Sequence, residues 1–147
     1  MARKIAIIIS DYNRNVTQKM LEFALNTAKK LNLSVSQVVH VPGAFEIPIA
    51  MQKVLKSGNV DGVVTLGVVL QGDTDHDIVV SHYSAAQSLK LSLKYNIPLG
   101  YGVMGPRMKK EMAPGKAEEY SARAVETVAY MMELMKPSSG SEAKAKK

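Results

Sequence analysis

Residues 62–80 read GVVTLGVVLQGDTDHDIVV. Apart from Thr65, the first nine are apolar without alternation and rich in valine, which predicts a strand covered on both faces, as in a parallel sheet. Beyond them lies a polar knot of Asp73, Thr74, Asp75, His76 and Asp77. The apolar run after the knot predicts the start of a helix. A buried strand that turns directly into a helix is half of a β-α-β crossover, so this stretch alone predicts an α/β protein.

The rest of the chain repeats the unit. KIAIIIS (4–10) is another isoleucine-rich buried strand, and a helix from Asn15 to about Asn32 carries Val16, Met20, Phe23, Ala24, Thr27 and Leu31 on one face. SVSQVVHV (34–41) is a strand. PGAFEIP then turns the chain, with Pro48 at the first position of a helix running to about Ser57 before Gly58. The helix after the knot runs to about Tyr95, where Asn96 and Pro98 end it, and PLGYGVM (98–104) is the last strand. Residues 107–116 have no clear pattern, and a final helix spans about Ala117 to Met135. Four strands, each followed by a helix, predict a three-layer αβα sandwich around a four-stranded parallel sheet with right-handed crossovers.

Composition sets limits on function. At 147 residues the chain fits one domain, assigned to residues 1–136. Residues 137–147, PSSGSEAKAKK, hold too few apolar side chains to offset their ordering entropy and predict a disordered basic tail. The apolar share is 46%, but no run approaches the ~20 residues of a membrane span, so no membrane partner is expected. The apolar run at the start is too short for a signal peptide. Absence of cysteine excludes disulfides, thiolate metal sites and cysteine nucleophiles, and the expected compartment is the cytoplasm. Part of the net charge of +6 lies in the tail; the remainder is scattered, without the aromatic interleaving of a single-strand binder. Nucleic acid is therefore not an expected partner. A mildly basic surface suits phosphorylated small molecules.

In open parallel sheets, ligands bind beyond the carboxyl ends of the strands. That rule gathers SDYNR, VPGAFE, LQGDTDH and GVMGPR at one edge. The knot there admits three readings. As a helix start, Thr74 and Asp77 have the spacing of a capping box, and the acids complement the helix dipole. As a metal site, Asp73, Asp75 and His76 offer oxygen and nitrogen ligands, but their directions diverge and no second ligand cluster supports them. As an anion site, the N–H groups of Gly72 to Thr74 and the Thr74 hydroxyl would face a phosphate, given a cation from Arg107, Lys116 or Arg123.

Capping accounts for every residue of the knot except His76. An imidazole, with a reference pKa near ~6.5, suits proton transfer at a strand end, and Asp77 is a candidate to hold its ring. His40 and His82 are read as bystanders. In VPGAFEIP, Phe45 supplies either a core residue or a flat wall, and Glu46 an acceptor for hydroxyls. Tyr12 and Tyr101 are core residues or rings for a planar ligand. With only six Tyr and two Phe in the chain, Tyr12, Phe45 and Tyr101 together point to a planar heterocycle.

VPGAFEIP, the strand GVVTLGVVL and GDTDH at these spacings resemble 6,7-dimethyl-8-ribityllumazine synthase, the penultimate enzyme of riboflavin biosynthesis. The resemblance spans residues 4–135, and the HD pair and MGPRM look like the archaeal branch. It implies a flavodoxin-like fold and the condensation of 5-amino-6-(D-ribitylamino)uracil with 3,4-dihydroxy-2-butanone 4-phosphate, with no metal or cofactor. It further implies that Tyr12 stacks on the pyrimidine beside Asn13. Ala44, Phe45 and Glu46 take the ribityl chain, and the backbone of Val68, Val69 and Leu70 meets the pyrimidine edge. Asp73 and Thr74 mark the phosphate pocket, and His76 is the proton shuttle.

The implied assembly is a pentamer, or twelve pentamers in a 60-subunit shell, with sites between adjacent subunits. A neighbour would then bring Tyr101 and a phosphate-binding cation, Lys116 by position, with Arg123 and Arg107 as alternatives. Gln71 and Asp77 stand where the family more usually has an arginine and an aromatic. Three rivals are a riboflavin synthase on the same scaffold, a non-catalytic lumazine- or flavin-binding shell protein, and a metal module on the acidic knot. The first lacks the AFE and G-(D/E)-T-x-H features seen here.

Overall fold

The structure, a computed structural model, describes residues 3–137. The alternation is realised as β1 (Arg3–Ser10), α1 (Arg14–Lys30), β2 (Leu33–Val41), α2 (Ile47–Ser57), β3 (Gly62–Leu70), α3 (His76–Tyr95), β4 (Leu99–Met108) and α4 (Ala113–Met135). A single 3-10 turn, Ala44–Glu46, precedes α2. The expected disordered tail lies, from residue 138 onward, outside the described residues.

The strands are all parallel, in the order β2-β1-β3-β4. Helices cover both faces, giving the flavodoxin-like three-layer sandwich. Side-chain alternation along β1 divides the core: Ile5, Ile7 and Ile9 pack with α1 and α4, whereas Ala6 and Ile8 pack with α2. β3 has helices on both sides as well, and every residue from Gly62 to Val69 is buried. This is why neither strand shows an alternating pattern. β2 is an edge strand, and only its first and last residues are buried.

α4 approaches β4 closely because β4 carries glycines at positions 100 and 102, both facing Ala124. A Cβ on Gly100 would overlap the Ala124 carbonyl of α4. The same helix buries Val125, Val128 and Met132 against the sheet.

Two boundaries differ from expectation. β4 does not stop at Met104: it bends at Gly105 and continues, pairing Met108 with Leu70. Gly105 has φ +118, and a Cβ there would lie 2.7 Å from the Val69 carbonyl oxygen, so the glycine marks a bend within the strand rather than its end. α4 begins about one turn before Ala117, at Ala113, with Pro114 in its first turn. The observed end of β4, at Met108, and the observed start of α4, at Ala113, both fall within residues 107–116, the stretch that lacks a clear pattern.

Candidate active site

The carboxyl ends of β1, β2 and β3 open onto a cavity of about 880 Å³, within the usual range for a small-molecule site. Tyr12 and Asn13 reach it from the β1–α1 loop, Ala44, Phe45 and Glu46 from the 3-10 turn, Val68, Val69 and Leu70 from the end of β3, and His76 from the first turn of α3. These residues come from four separate segments, and the parallel topology brings their ends to one edge.

Local chemistry holds each segment. Asn13 sits in the left-handed region, φ 65, at the start of α1, and its amide Nδ2 donates to the Val68 carbonyl at 3.4 Å. The loop before it is tied to β2: the Asp11 N–H donates to Val41 at 2.8 Å and the Tyr12 N–H to Pro42 at 2.9 Å. His40, read from sequence as a bystander, also takes part, with Nδ1 2.7 Å from the Asp11 carboxylate. The Tyr12 ring is 72% exposed, so its orientation rests on this loop rather than on packing. Glu46 accepts from the Gly43 N–H at 2.9 Å, which closes the glycine turn. Phe45 is exposed in the cavity wall, not in the core.

The knot departs from the capping-box reading. The Thr74 hydroxyl accepts from the His76 N–H at 3.3 Å, and Asp75 occupies the cap position without a side-chain bond. Asp77 does not reach back to Thr74 or hold the His76 ring. It is 4% exposed, and its carboxylate accepts from the Arg107 N–H at 2.8 Å. A side chain one residue along a helix turns through about a quarter of a circle, which takes Asp77 inward while His76 stays at the surface.

Next to the large cavity, Gly72, Asp73, Thr74, Asp75, Asp77 and Arg107 line a second, polar pocket of about 340 Å³. Thus the sheet edge presents a large, mostly apolar compartment beside a small polar one, with the first turn of α3 between them. Among the described residues, no group of three or more His, Asp or Glu side chains is arranged to hold a metal ion.

Three expected residues lie elsewhere within the chain. Tyr101 does not join Tyr12 and Phe45, because β4 continues to Met108 and leaves Tyr101 near its beginning, in register with Thr65. There it lines a cleft with Leu89, Leu99 and Met131. Burial pushes its phenol above the ordinary value of 10.0, and the nearby Ser84 hydroxyl offsets part of that shift without the geometry of a full hydrogen bond. Lys116 and Arg123 lie on α4, where both pair with Glu119, at 3.7 and 3.6 Å. Lys110, which sequence reasoning passed over, lines the large cavity. Its segment had no periodicity to place it.

The chain matches the family model described as 6,7-dimethyl-8-ribityllumazine synthase over residues 2–136. It is 41% identical to 6,7-dimethyl-8-ribityllumazine synthase of Metallosphaera sedula over 133 residues, which is 90% of this chain and 88% of that protein. Against the protein of the same name from Staphylothermus marinus it is 41% identical over 136 residues, 92% and 90% of the two chains. Against that of Pyrobaculum arsenaticum it is 43% identical over 123 residues, 84% and 82%.

Proposed function

The chain belongs to the 6,7-dimethyl-8-ribityllumazine synthase family, an enzyme family of riboflavin biosynthesis, and from that premise we propose how its residues divide the reaction. The substrates are 5-amino-6-(D-ribitylamino)uracil and 3,4-dihydroxy-2-butanone 4-phosphate. The 5-amino nitrogen adds to the ketone carbonyl and loses water to give an imine. Elimination then expels phosphate, and the ribitylamino nitrogen closes the second ring with loss of another water.

The observation that supports this reading most is the pairing of compartments. A planar pyrimidine with a polyol tail fits a large cavity walled by Tyr12 and Phe45, with Glu46 as hydroxyl acceptor. A phosphate fits the small pocket at Gly72, Asp73 and Thr74. The two substrates would meet at the first turn of α3, where His76 stands.

Both substrates are intrinsically reactive, so catalysis is chiefly orientation and proton transfer. In this reading Tyr12 stacks on the pyrimidine and Asn13 fixes the approach of α1 to β3. The backbone of Val68, Val69 and Leu70 offers in-plane hydrogen-bonding groups to the ring edge. The backbone of Ala44 and Phe45, with Glu46, receives the ribityl hydroxyls. His76 removes a proton as the phosphate leaves and returns one as water departs. Asp73 and Thr74 accommodate the phosphate, with Lys116 and Arg123 as cations brought by a neighbouring subunit. No metal or cofactor enters any step.

Assembly belongs to the same reading: a pentamer, or a 60-subunit shell of twelve pentamers, with each site completed across a subunit boundary. Its support is the apolar surface that one chain leaves uncovered, with Tyr83, Leu89 and Leu93 exposed along α3. A neighbour there would also bring Tyr101 to the site. Phosphorylated and polyol substrates do not cross membranes unaided, which favours the cytoplasm. Among the described residues no helix is long and apolar enough to cross a membrane.

The decisive experiment incubates the purified protein with both substrates and follows lumazine absorbance and phosphate release. Product formation above the spontaneous rate, unaffected by a chelator, is expected. A rate equal to the spontaneous one would overturn the catalytic reading in favour of a binding or shell protein.

A further inference from the structure

Arg107 combines three features that the reaction so far leaves unused. Its backbone lies in the left-handed region, φ 64, which side chains other than glycine and asparagine seldom occupy. Its N–H is held by the buried carboxylate of Asp77, thirty positions back in the chain. It also borders the polar pocket that holds Asp73 and Thr74.

A non-glycine residue keeps φ > 0 where its surroundings over-determine it. Two bonds do so here. On one side the Asp77 carboxylate accepts the Arg107 N–H; on the other, the neighbouring Met108 carbonyl accepts the Gln71 N–H at 2.8 Å. The end of β4 is therefore fastened both to the loop after β3 and to the first turn of α3. Asp77 is the residue immediately after His76, so one helical turn carries the proton-transfer group and braces the arginine.

Charge points the same way. The polar pocket is lined by Asp73, Asp75 and Asp77, and Arg107 is the cation among its lining residues. Lys116 and Arg123 each share Glu119 on α4, whereas no ion pair within the described residues engages Arg107. An unpaired guanidinium beside a phosphate pocket supplies planar, paired donors that a lysine lacks.

We propose that Arg107 is a phosphate-binding residue contributed by the same subunit as His76, and that Asp77 is the positioning residue that holds it there. This rests on the synthase reading above. It deepens that reading by giving the pocket its own cation, before any from a neighbour.

The test measures KM separately for each substrate. Arg107→Gly removes the guanidinium while keeping the N–H that Asp77 binds and suiting the left-handed backbone. KM for the butanone phosphate should rise roughly tenfold or more, on the scale of a charge-assisted contact, with KM for the pyrimidine changed less than about twofold. Inorganic phosphate should inhibit this variant correspondingly more weakly. Asp77→Ala should shift the same two readouts in the same direction, and Asp77→Asn, which retains an acceptor oxygen, should restore most of the loss.

An unchanged KM for the phosphorylated substrate in Arg107→Gly would overturn the assignment, as would an equal rise for both substrates. Should Asp77→Ala fail to fold, the Arg107→Gly result still decides the binding role. If Asp77→Asn folds but fails to restore the affinity, Asp77 is not the brace. If the wild-type protein forms no lumazine, the synthase reading itself fails, which the same assay registers separately.

Discussion

The Glu46 carboxylate accepts the Gly43 N–H at 2.9 Å, across the turn that leads from β2 into α2. One side chain therefore shapes the turn and offers a second oxygen to the cavity. Glu46→Gln keeps an acceptor for the turn and should raise KM for the pyrimidine only a fewfold. Glu46→Ala loses both roles and should raise it roughly tenfold or more, on the scale of an unmet hydrogen bond to a charged group. Steady-state kinetics of the two variants, with circular dichroism to verify folding, measures the split.

His76 is exposed and its ring makes no packing contribution to the core. His76→Ala should slow turnover by ~10–10³-fold, as expected for one proton-transfer group, with the melting temperature nearly unchanged. An unaltered rate would reduce His76 to a first-turn helix residue.

Tyr12 separates binding from folding in the same way. Its ring is 72% exposed and held only through its loop. Tyr12→Ala should leave stability within about 0.5 kcal/mol and weaken pyrimidine binding, whereas Tyr12→Phe keeps the stacking face and should bind near normally. Isothermal titration with the pyrimidine substrate checks both.

At Gly100 the effect should be structural. Any Cβ there runs into the Ala124 carbonyl, which belongs to helix backbone and cannot rotate away. Gly100→Ala should destabilise the protein by about 1–3 kcal/mol, seen in denaturant unfolding as a lower midpoint with little change in slope.

Tyr101 predicts a pH limit. Because burial raises its phenol in the folded state, the native protein holds that proton more tightly than the unfolded chain does. The resulting stabilisation is fully present below the ordinary value of 10.0 and is lost as pH rises through the higher folded value. Unfolding midpoints measured across that range should fall less steeply in Tyr101→Phe than in the natural protein.

Much of this was legible from residues alone where the determinants are local. β1 and β3 announce themselves because burial on both faces leaves KIAIIIS and GVVTLGVVL without a regular alternation of polar and apolar positions. The rule that parallel strands gather their carboxyl ends brought SDYNR, VPGAFE and LQGDTDH to one edge, and the family resemblance singled out residues within and beside them. The failures share a cause, which is dependence on distant partners. Thr74 and Asp77 have capping-box spacing, yet the partner of Asp77 lies at Arg107. Gly105 lies just past the expected end of the last strand, and the neighbours that keep the strand going there, Val69 and Ser81, are remote in sequence. Lys110 gave no signal, since a loop lysine becomes part of a wall only once the loop is placed.

An exposed apolar stripe and the proposed proton-transfer residue share α3: His76 in its first turn, then Val79, Tyr83 and Leu93 along its length. One continuous helix links the two, so ordering the stripe also steadies its first turn. If a second copy covers that stripe, separation of the copies loosens the very element that carries the imidazole, and association behaves as a linked equilibrium. At low enzyme concentration, the initial rate would then climb faster than in proportion to the amount of enzyme added.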